Sequence, residues 1–207
     1  ELGLPKDGFV FCCFNNHYKI TPGIFDIWMR LLKSIKGSIL WLSKGNTVAQ
    51  NNLREEANKR NIEANRIIFA ERLPSLSDHL SRHKAADLFI DTLPYNAHST
   101  CSDALWSGLP VLTYAGKSFA GRVSASMLNA IGLPELITCS EKEYEDKAIK
   151  LATNPDLLKE VNNKLSKNRL KSPLFDTKLY AKNIESVFNK IHIRHLNKLK
   201  PEHIEIK

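Results

Sequence analysis

The sequence has no hydrophobic run that could cross a membrane. Its longest uninterrupted apolar stretch spans only Phe9–Phe14, whereas a membrane-spanning helix needs about 20 residues and the apolar part of a signal peptide about 7–15. These absences predict a cytoplasmic protein with no membrane partner. The chain begins at Glu1 and not at Met, so we expect it to be a piece of a longer protein.

Cysteine is scarce, with four residues in 207, and no two of them have C-x-x-C spacing. Cys12 and Cys13 stand side by side in the apolar stretch, which favours reduced, buried thiols over a disulfide framework or a zinc site. His79 and His83 have the i, i+4 spacing of a zinc pair, but Leu80 stands where zinc-protease helices carry Glu. We therefore expect neither a metal ion nor a bound cofactor.

The usual loop motifs of nucleotide-binding and hydrolytic enzymes are also missing. Gly116–Gly121 contains two glycines, but Arg122 follows where a phosphate loop has Lys and then Ser or Thr. The chain has no G-x-G-x-x-G and no G-x-S-x-G. It also has no pair of carboxylates whose spacing indicates acid–base catalysis.

Positive charge is in excess, since 30 Lys and Arg against 22 Asp and Glu give a net charge of +8. Such a surplus suits a polyanionic partner such as a nucleic acid or a phosphate. Residues 141–207 carry five of the eight surplus charges. That region has few aromatic residues of the kind that single-stranded nucleic acids stack on, so solvated helix faces are favoured over a nucleic-acid partner.

Short apolar segments alternate with amphipathic ones over the first 140 residues. The predicted strands are Phe9–Phe14, Ile39–Leu42, Ile67–Ala70, Leu88–Asp91, Pro110–Tyr114 and Leu136–Thr138. The first predicted helix has Thr21 as its cap and Pro22 as its first residue, and it ends before Gly37. The other predicted helices are 46–61, 77–86, Ser99–Trp106 and 119–131. This alternation predicts an α/β fold with a doubly wound parallel sheet.

We expect a single domain over residues 1–207, with a core at 8–140, helices at 141–191 and a polar tail at 192–207. In a doubly wound sheet the ligand lies beyond the carboxyl ends of the strands. The loops expected to form the site are 15–21, 43–47, 71–77, 92–99 and 114–119.

Two of these loops carry candidate anion-binding groups. Ser99 and Thr100 begin a helix, whose free N–H groups and dipole suit phosphate. The alternative is that Thr100 only caps that helix, with Asp103 completing an approximate capping box. Lys19 follows the first strand and could offset the charge of a diphosphate; the alternative is a solvated loop lysine.

His79 and Arg82 lie three residues apart and share a helix face. Such a pair facing a cleft could hold a base and its phosphate. An ordinary helix surface explains the spacing equally well. From the residues alone, the chain is an α/β domain with an anion-binding edge.

One long segment is similar to a known family. The run DTLPYNAHSTCSDALWSGLPVLTYAGKSFAGRVSASMLNAIGLPELI (91–137) resembles the O-linked N-acetylglucosamine transferase/SPINDLY family. The similarity extends in order over about residues 8–206 through FNNHYKITP, LWLSKGN, NRIIF, DHLSRHKAADLFIDT, EYEDKAIKLATN, SPLFDTKLYAKNIE and KPEHI. It implies the C-terminal half of the catalytic region of a GT-B glycosyltransferase. Such a half is a Rossmann-like sheet that holds most of the sugar nucleotide, here with additional C-terminal helices.

The resemblance also implies roles for individual residues. Lys19 matches the lysine that stabilises the leaving diphosphate, and Asn16 stands where relatives often have Gln near it. His79 matches the histidine that lies against the uracil, with Arg82 close by. Leu76 takes the place of a base-contacting lysine in the animal enzymes. The remaining matches, beside the phosphates and the ribose, are His98, Ser99, Thr100 and Asp103.

The implied reaction is an inverting, metal-independent transfer of N-acetylglucosamine from UDP-N-acetylglucosamine to Ser or Thr hydroxyls of protein acceptors. The parent chain would supply an N-terminal catalytic half and tetratricopeptide repeats, and this chain alone is expected to be inactive. The alternatives are the same fold with GDP-fucose or UDP-glucose as donor, and a non-catalytic nucleotide-binding module.

Overall fold

A computed structural model describes residues 2–205 of the chain. The strands are β1 Val10–Cys13, β2 Ile39–Ser43, β3 Ile67–Ala70, β4 Leu88–Ile90, β5 Val111–Tyr114 and β6 Ile137–Thr138. The helices are α1 Pro22–Ser34, α2 Thr47–Lys59, α3 Leu76–Ser81, α4 Ser99–Ser107, α5 Val123–Ala130, α6 Glu141–Thr153, α7 Pro155–Asn168 and α8 Thr177–Leu196. Both sets follow the predicted alternation.

The six strands form one parallel sheet in the order β3-β2-β1-β4-β5-β6. Cys12 of β1 lies opposite Trp41 of β2 on one side and Phe89 of β4 on the other. After β1 the chain builds the sheet outward in one direction, and from β4 onward it builds in the other. The doubly wound sheet is therefore confirmed, and its switch point, where the connecting loops diverge, lies between β1 and β4.

The sheet is apolar on both faces because helices cover both of them. Phe11, Trp41 and Phe89 are completely buried, as is Trp28 of α1. The predicted start of α1 is confirmed, since the Thr21 hydroxyl oxygen accepts the Ile24 N–H with Pro22 as the first helical residue.

Helix α6 belongs to this core. The Tyr144 hydroxyl donates to the Asp91 carbonyl at 3.0 Å and accepts the Trp28 indole N–H at 3.3 Å. Helix α8, by contrast, has no buried residue, and its Tyr180 and Phe188 are 68% and 63% exposed. No helix within residues 2–205 has the length and apolarity needed to span a bilayer.

The structure departs from the sequence-based predictions at four places. The helix predicted at 77–86 is an α-helix only over Leu76–Ser81 and continues as a 3₁₀ helix over Arg82–Ala85. Helix α5 begins at Val123 and not at 119, because residues 116–121 close a loop in which the Gly116 N–H donates to the Gly121 carbonyl. Helix α8 runs to Leu196, past the predicted start of the tail at 192, and residues 206–207 lie outside the described range. Cys139 is exposed, whereas the other three thiols are buried as predicted.

We expect Tyr144→Phe to lower the free energy of unfolding by about 1–3 kcal/mol. The substitution leaves the Trp28 N–H and the Asp91 carbonyl without their partner inside the core. Urea denaturation of both proteins measures the loss. Tyr180→Phe is the matched control because that side chain is exposed. Equal stability of the Tyr144 variant and the unchanged chain would contradict the proposed role of this hydroxyl.

Candidate functional site

A cleft with two adjacent lobes runs along the carboxyl edge of the sheet. The inner lobe, of about 380 Å³, lies between the loop after β1 and the start of α4. The outer lobe, of about 420 Å³, lies between the loop after β3 and helix α3. The two lobes share Phe14, Ser43 and Lys44 as lining residues. They therefore form one continuous cleft beside the switch point.

The inner lobe brings together most of the predicted site residues. Five of them line it: Asn16, Lys19, His98, Ser99 and Thr100. Asn16 and Ser99 are exposed at its surface, whereas His98 and Thr100 are partly buried. Residues that are 80 positions apart in the sequence thus face the same space.

Lys19 lies in a single 3₁₀ turn after β1 and is only 9% exposed. Its ammonium donates to the Asn96 carbonyl at 2.8 Å and stands 3.8 Å from the centre of the Tyr95 ring. Burial lowers the pKa of Lys19, and the nearby Asp91 carboxylate opposes that shift. The alternative of a solvated loop lysine is therefore wrong.

The first turn of α4 supplies the opposite side of the inner lobe. His98 occupies the N-cap position and makes no capping bond through its side chain. The Thr100 hydroxyl instead donates to the side-chain oxygen of Asn15 at 2.5 Å, so Thr100 is not the cap of this helix. Within residues 2–205, the N–H groups of Ser99 and Thr100 have no protein acceptor. They belong to the positive end of a nine-residue helix whose first two residues line the lobe.

The outer lobe contains His79 and Arg82. Arg82 is 8% exposed, and its guanidinium lies 4.4 Å from the centre of the Phe14 ring. One Nη donates to the Glu71 carbonyl at 2.6 Å, and the other lies 2.6 Å from Nδ1 of His79. This burial disagrees with the alternative of an ordinary helix surface, whereas the predicted role of Arg82 in holding the donor stays a prediction. Arg82 holds His79 in place.

Arg82 also fixes the protonation of His79. A guanidinium can only donate, so Nδ1 of His79 accepts and Nε2 carries the ring hydrogen. That nitrogen faces the Asp103 carboxylate at 3.7 Å. Burial lowers the pKa of His79 and the charge of Arg82 lowers it further, while Asp103 opposes them. His79 is therefore a neutral hydrogen-bond donor at neutral pH.

Two residues that sequence reasoning did not select underlie the inner lobe. Asn15 and Asp91 are both 1% exposed. Asp91 directly follows β4, and Asn15 follows β1 with only Phe14 between them. The Asp91 carboxylate accepts the N–H groups of Thr92 and Ala97 at 2.7 and 2.6 Å and the Thr113 hydroxyl at 2.7 Å. Burial raises the pKa of Asp91, and these hydrogen bonds oppose the rise. A polar residue at the carboxyl end of an apolar strand was the signal available in the sequence.

A larger groove of about 670 Å³ lies at the opposite, amino-terminal edge of the sheet. It is lined by Lys33, Lys36 and Arg66 among others. The Arg66 guanidinium is already bound to three backbone carbonyls and the Ser38 hydroxyl. This groove lacks a helix N-terminus and lies far from the switch point, so the two-lobed cleft is the better candidate.

Comparison with known proteins gives a consistent result. The sequence model of glycosyl transferase family 41 matches residues 1–184. A UDP-N-acetylglucosamine–peptide N-acetylglucosaminyltransferase of Caenorhabditis elegans is 35% identical over 99% of this chain and 18% of its own length. The probable enzyme of the same name, SEC, from Arabidopsis thaliana is 36% identical over all of this chain and 21% of its own length.

Solved structures agree on the architecture. A mutant O-GlcNAc transferase of Thermobaculum terrenum superposes with a TM-score of 0.84 at 28% identity, over 90% of this chain and 36% of that one. TarM superposes with a TM-score of 0.62 at 15% identity, which shows the fold alone. The predicted Rossmann-like part of a GT-B fold is confirmed. The chain spans about a fifth of the length of the curated relatives it matches, and it belongs to glycosyl transferase family 41.

Proposed function

We propose that this chain is the donor-binding, C-terminal half of the catalytic region of a protein O-glycosyltransferase. The donor is UDP-N-acetylglucosamine, and the acceptors are Ser and Thr hydroxyls of proteins. Family membership and the names of the relatives support this assignment. Since the chain is about a fifth of those relatives, we propose that the rest of the parent, with its N-terminal catalytic half and tetratricopeptide repeats, completes the enzyme.

One observation carries the proposal: a buried ammonium and the free end of a helix face the same lobe. Lys19 and the N–H groups of Ser99 and Thr100 line the inner lobe. A low local dielectric strengthens the attraction of such groups for an anion. They suit the two negatively charged phosphates of a nucleoside diphosphate, with His98 and Asn16 at the margin of the same lobe.

The outer lobe suits the nucleoside. The neutral ring of His79 lies there, where it can face a planar base, and its Nε2–H is available for a hydrogen bond. Asp103 stands beside it on α4, where it can accept from a ribose hydroxyl. Leu76, which is 67% exposed, lines the same lobe and adds an apolar contact.

In the proposed reaction, the acceptor hydroxyl attacks the anomeric carbon from the side opposite to the diphosphate. A new carbon–oxygen bond forms while the sugar–phosphate bond breaks, and the configuration inverts. The electron pair passes to the diphosphate, whose growing charge Lys19 and the first turn of α4 stabilise. The hydroxyl proton leaves to a group outside this chain: the other catalytic half, the donor phosphate or water.

This scheme assigns the neutralising charge to the protein itself, so we propose that no metal ion is required. It also places the acceptor-side groups outside the chain, so the isolated chain binds nucleotide without transferring sugar. Buried free thiols at Cys12, Cys13 and Cys101 favour a cytoplasmic location.

We expect Lys19→Met to weaken UDP binding about tenfold or more, because the variant loses the charged partner of the diphosphate. Isothermal titration calorimetry measures the change, with and without EDTA. Lys33→Met, in the groove at the opposite edge, is the matched control. Undiminished UDP affinity in the Lys19 variant, or affinity that EDTA abolishes in the unchanged chain, would contradict the scheme.

A competition series distinguishes the possible donors. UDP, UDP-N-acetylglucosamine and UDP-glucose should all displace a fluorescent uridine nucleotide at lower concentrations than GDP-fucose. The reason is that the three share the base proposed for the lobe that His79 and Leu76 line, next to the diphosphate groups. Tighter binding of GDP-fucose than of any uridine nucleotide would overturn the assignment of the base.

A further inference from the structure

The side chain of Asn15 connects three elements around the inner lobe. Asn15 is the second residue after β1 and is 1% exposed. Its amide nitrogen donates to the Asp91 carboxylate at 3.2 Å and to the Thr92 hydroxyl at 2.7 Å, both in the segment that follows β4. Its oxygen accepts the Thr100 hydroxyl of α4 at 2.5 Å. One carboxamide therefore joins the ends of two strands to the start of a helix.

Only one orientation of this carboxamide satisfies its neighbours. The Thr92 hydroxyl gives its hydrogen to the Tyr95 carbonyl at 2.6 Å, so towards Asn15 its oxygen can only accept. The Asp91 carboxylate likewise accepts. Both need a donor, which places the amide nitrogen on their side and leaves the oxygen facing Thr100. The direction of the bond to Thr100 is thus determined by the buried groups behind it.

The same bond determines what the first turn of α4 presents to the lobe. Because the Thr100 hydroxyl hydrogen points to Asn15, it is not directed at a ligand. The donors of Ser99 and Thr100 that remain are their two N–H groups and the Ser99 hydroxyl. On the other side, the Lys19 ammonium is held by the carbonyl of Asn96, which lies in the loop between β4 and α4. The two sides of the lobe therefore share one buried framework.

We propose that Asn15 is a positioning residue for diphosphate binding. It acts through Thr100, holding the first turn of α4 so that the two N–H groups face the Lys19 ammonium across the inner lobe. This inference rests on the proposed function, because the diphosphate is that of the proposed donor. Asn15 itself contacts no reacting atom.

The test is a double-mutant cycle of Asn15→Leu and Thr100→Val, read as affinity for UDP, inorganic pyrophosphate and uridine. Each single variant should weaken UDP and pyrophosphate about tenfold, since each removes the same buried hydrogen bond. The double variant should be within about twofold of the weaker single variant, because coupled residues do not add. Uridine lacks the diphosphate, so it should bind all four proteins equally. Global damage to the fold would instead weaken uridine binding as well.

Thr138→Val is the matched control, since its buried hydroxyl donates to the Thr113 carbonyl between β5 and β6 and Thr138 lines neither lobe. It should leave all three affinities unchanged. If Asn15→Leu does not fold, Asn15→Ser replaces it in the cycle with the same expected outcomes. Losses that multiply in the double variant, or an equal loss of uridine binding, would overturn the role of Asn15. If the unchanged chain binds no UDP, the proposed function itself fails, and the two failures are thereby distinguished.

Discussion

A carboxylate that is 99% shielded from water must find its hydrogen-bond donors inside the fold, or its burial costs several kcal/mol. Asp91 finds them on the loop after β1, on its own loop after β4 and on β5. Its backbone carbonyl also accepts the Tyr144 hydroxyl of α6. Each donor has to be held in position to satisfy the charge. These hydrogen bonds therefore join β1, β4 and β5 at the switch point, where the cleft opens.

The residues that line the inner lobe are positioned by hydrogen bonds that lead back to Asp91. Asn15 bonds to Asp91 on one side and to Thr100, in the first turn of α4, on the other. Lys19 is tied to the same loop through the Asn96 carbonyl. The outer lobe is arranged independently by Arg82, which fixes the ring and the tautomer of His79. The proposed diphosphate would need few of the eight surplus positive charges, and the surplus after residue 140 lies mainly on exposed helices.

The pattern of apolar residues predicted the strands and most helices because doubly buried strands and one-sided helices leave different periods in a sequence. These periods carry no information about tertiary contacts, and the differences between prediction and structure arise from such contacts. Helix α5 starts late because the Gly116 N–H donates to the Gly121 carbonyl and closes a loop over residues 116–121. A Cβ at Gly121 would stand only 3.0 Å from the Pro94 carbonyl oxygen, so this loop favours glycine there. Thr100 resembles a cap in sequence, but its hydroxyl turns to Asn15, 85 residues away. The burial of Lys19 depends likewise on a distant loop, so spacing could not distinguish it from a solvated lysine.

If one uridine diphosphate occupies both lobes, its diphosphate lies at Lys19 and α4 and its base at His79. Backbone amide shifts of the isotopically labelled chain during a UDP titration test this placement. Saturable shifts should be concentrated at Lys19, Ser99, Thr100 and His79, with little change along α8. Shifts confined to the groove at the amino-terminal edge of the sheet, or no saturable shifts in a folded chain, would contradict it.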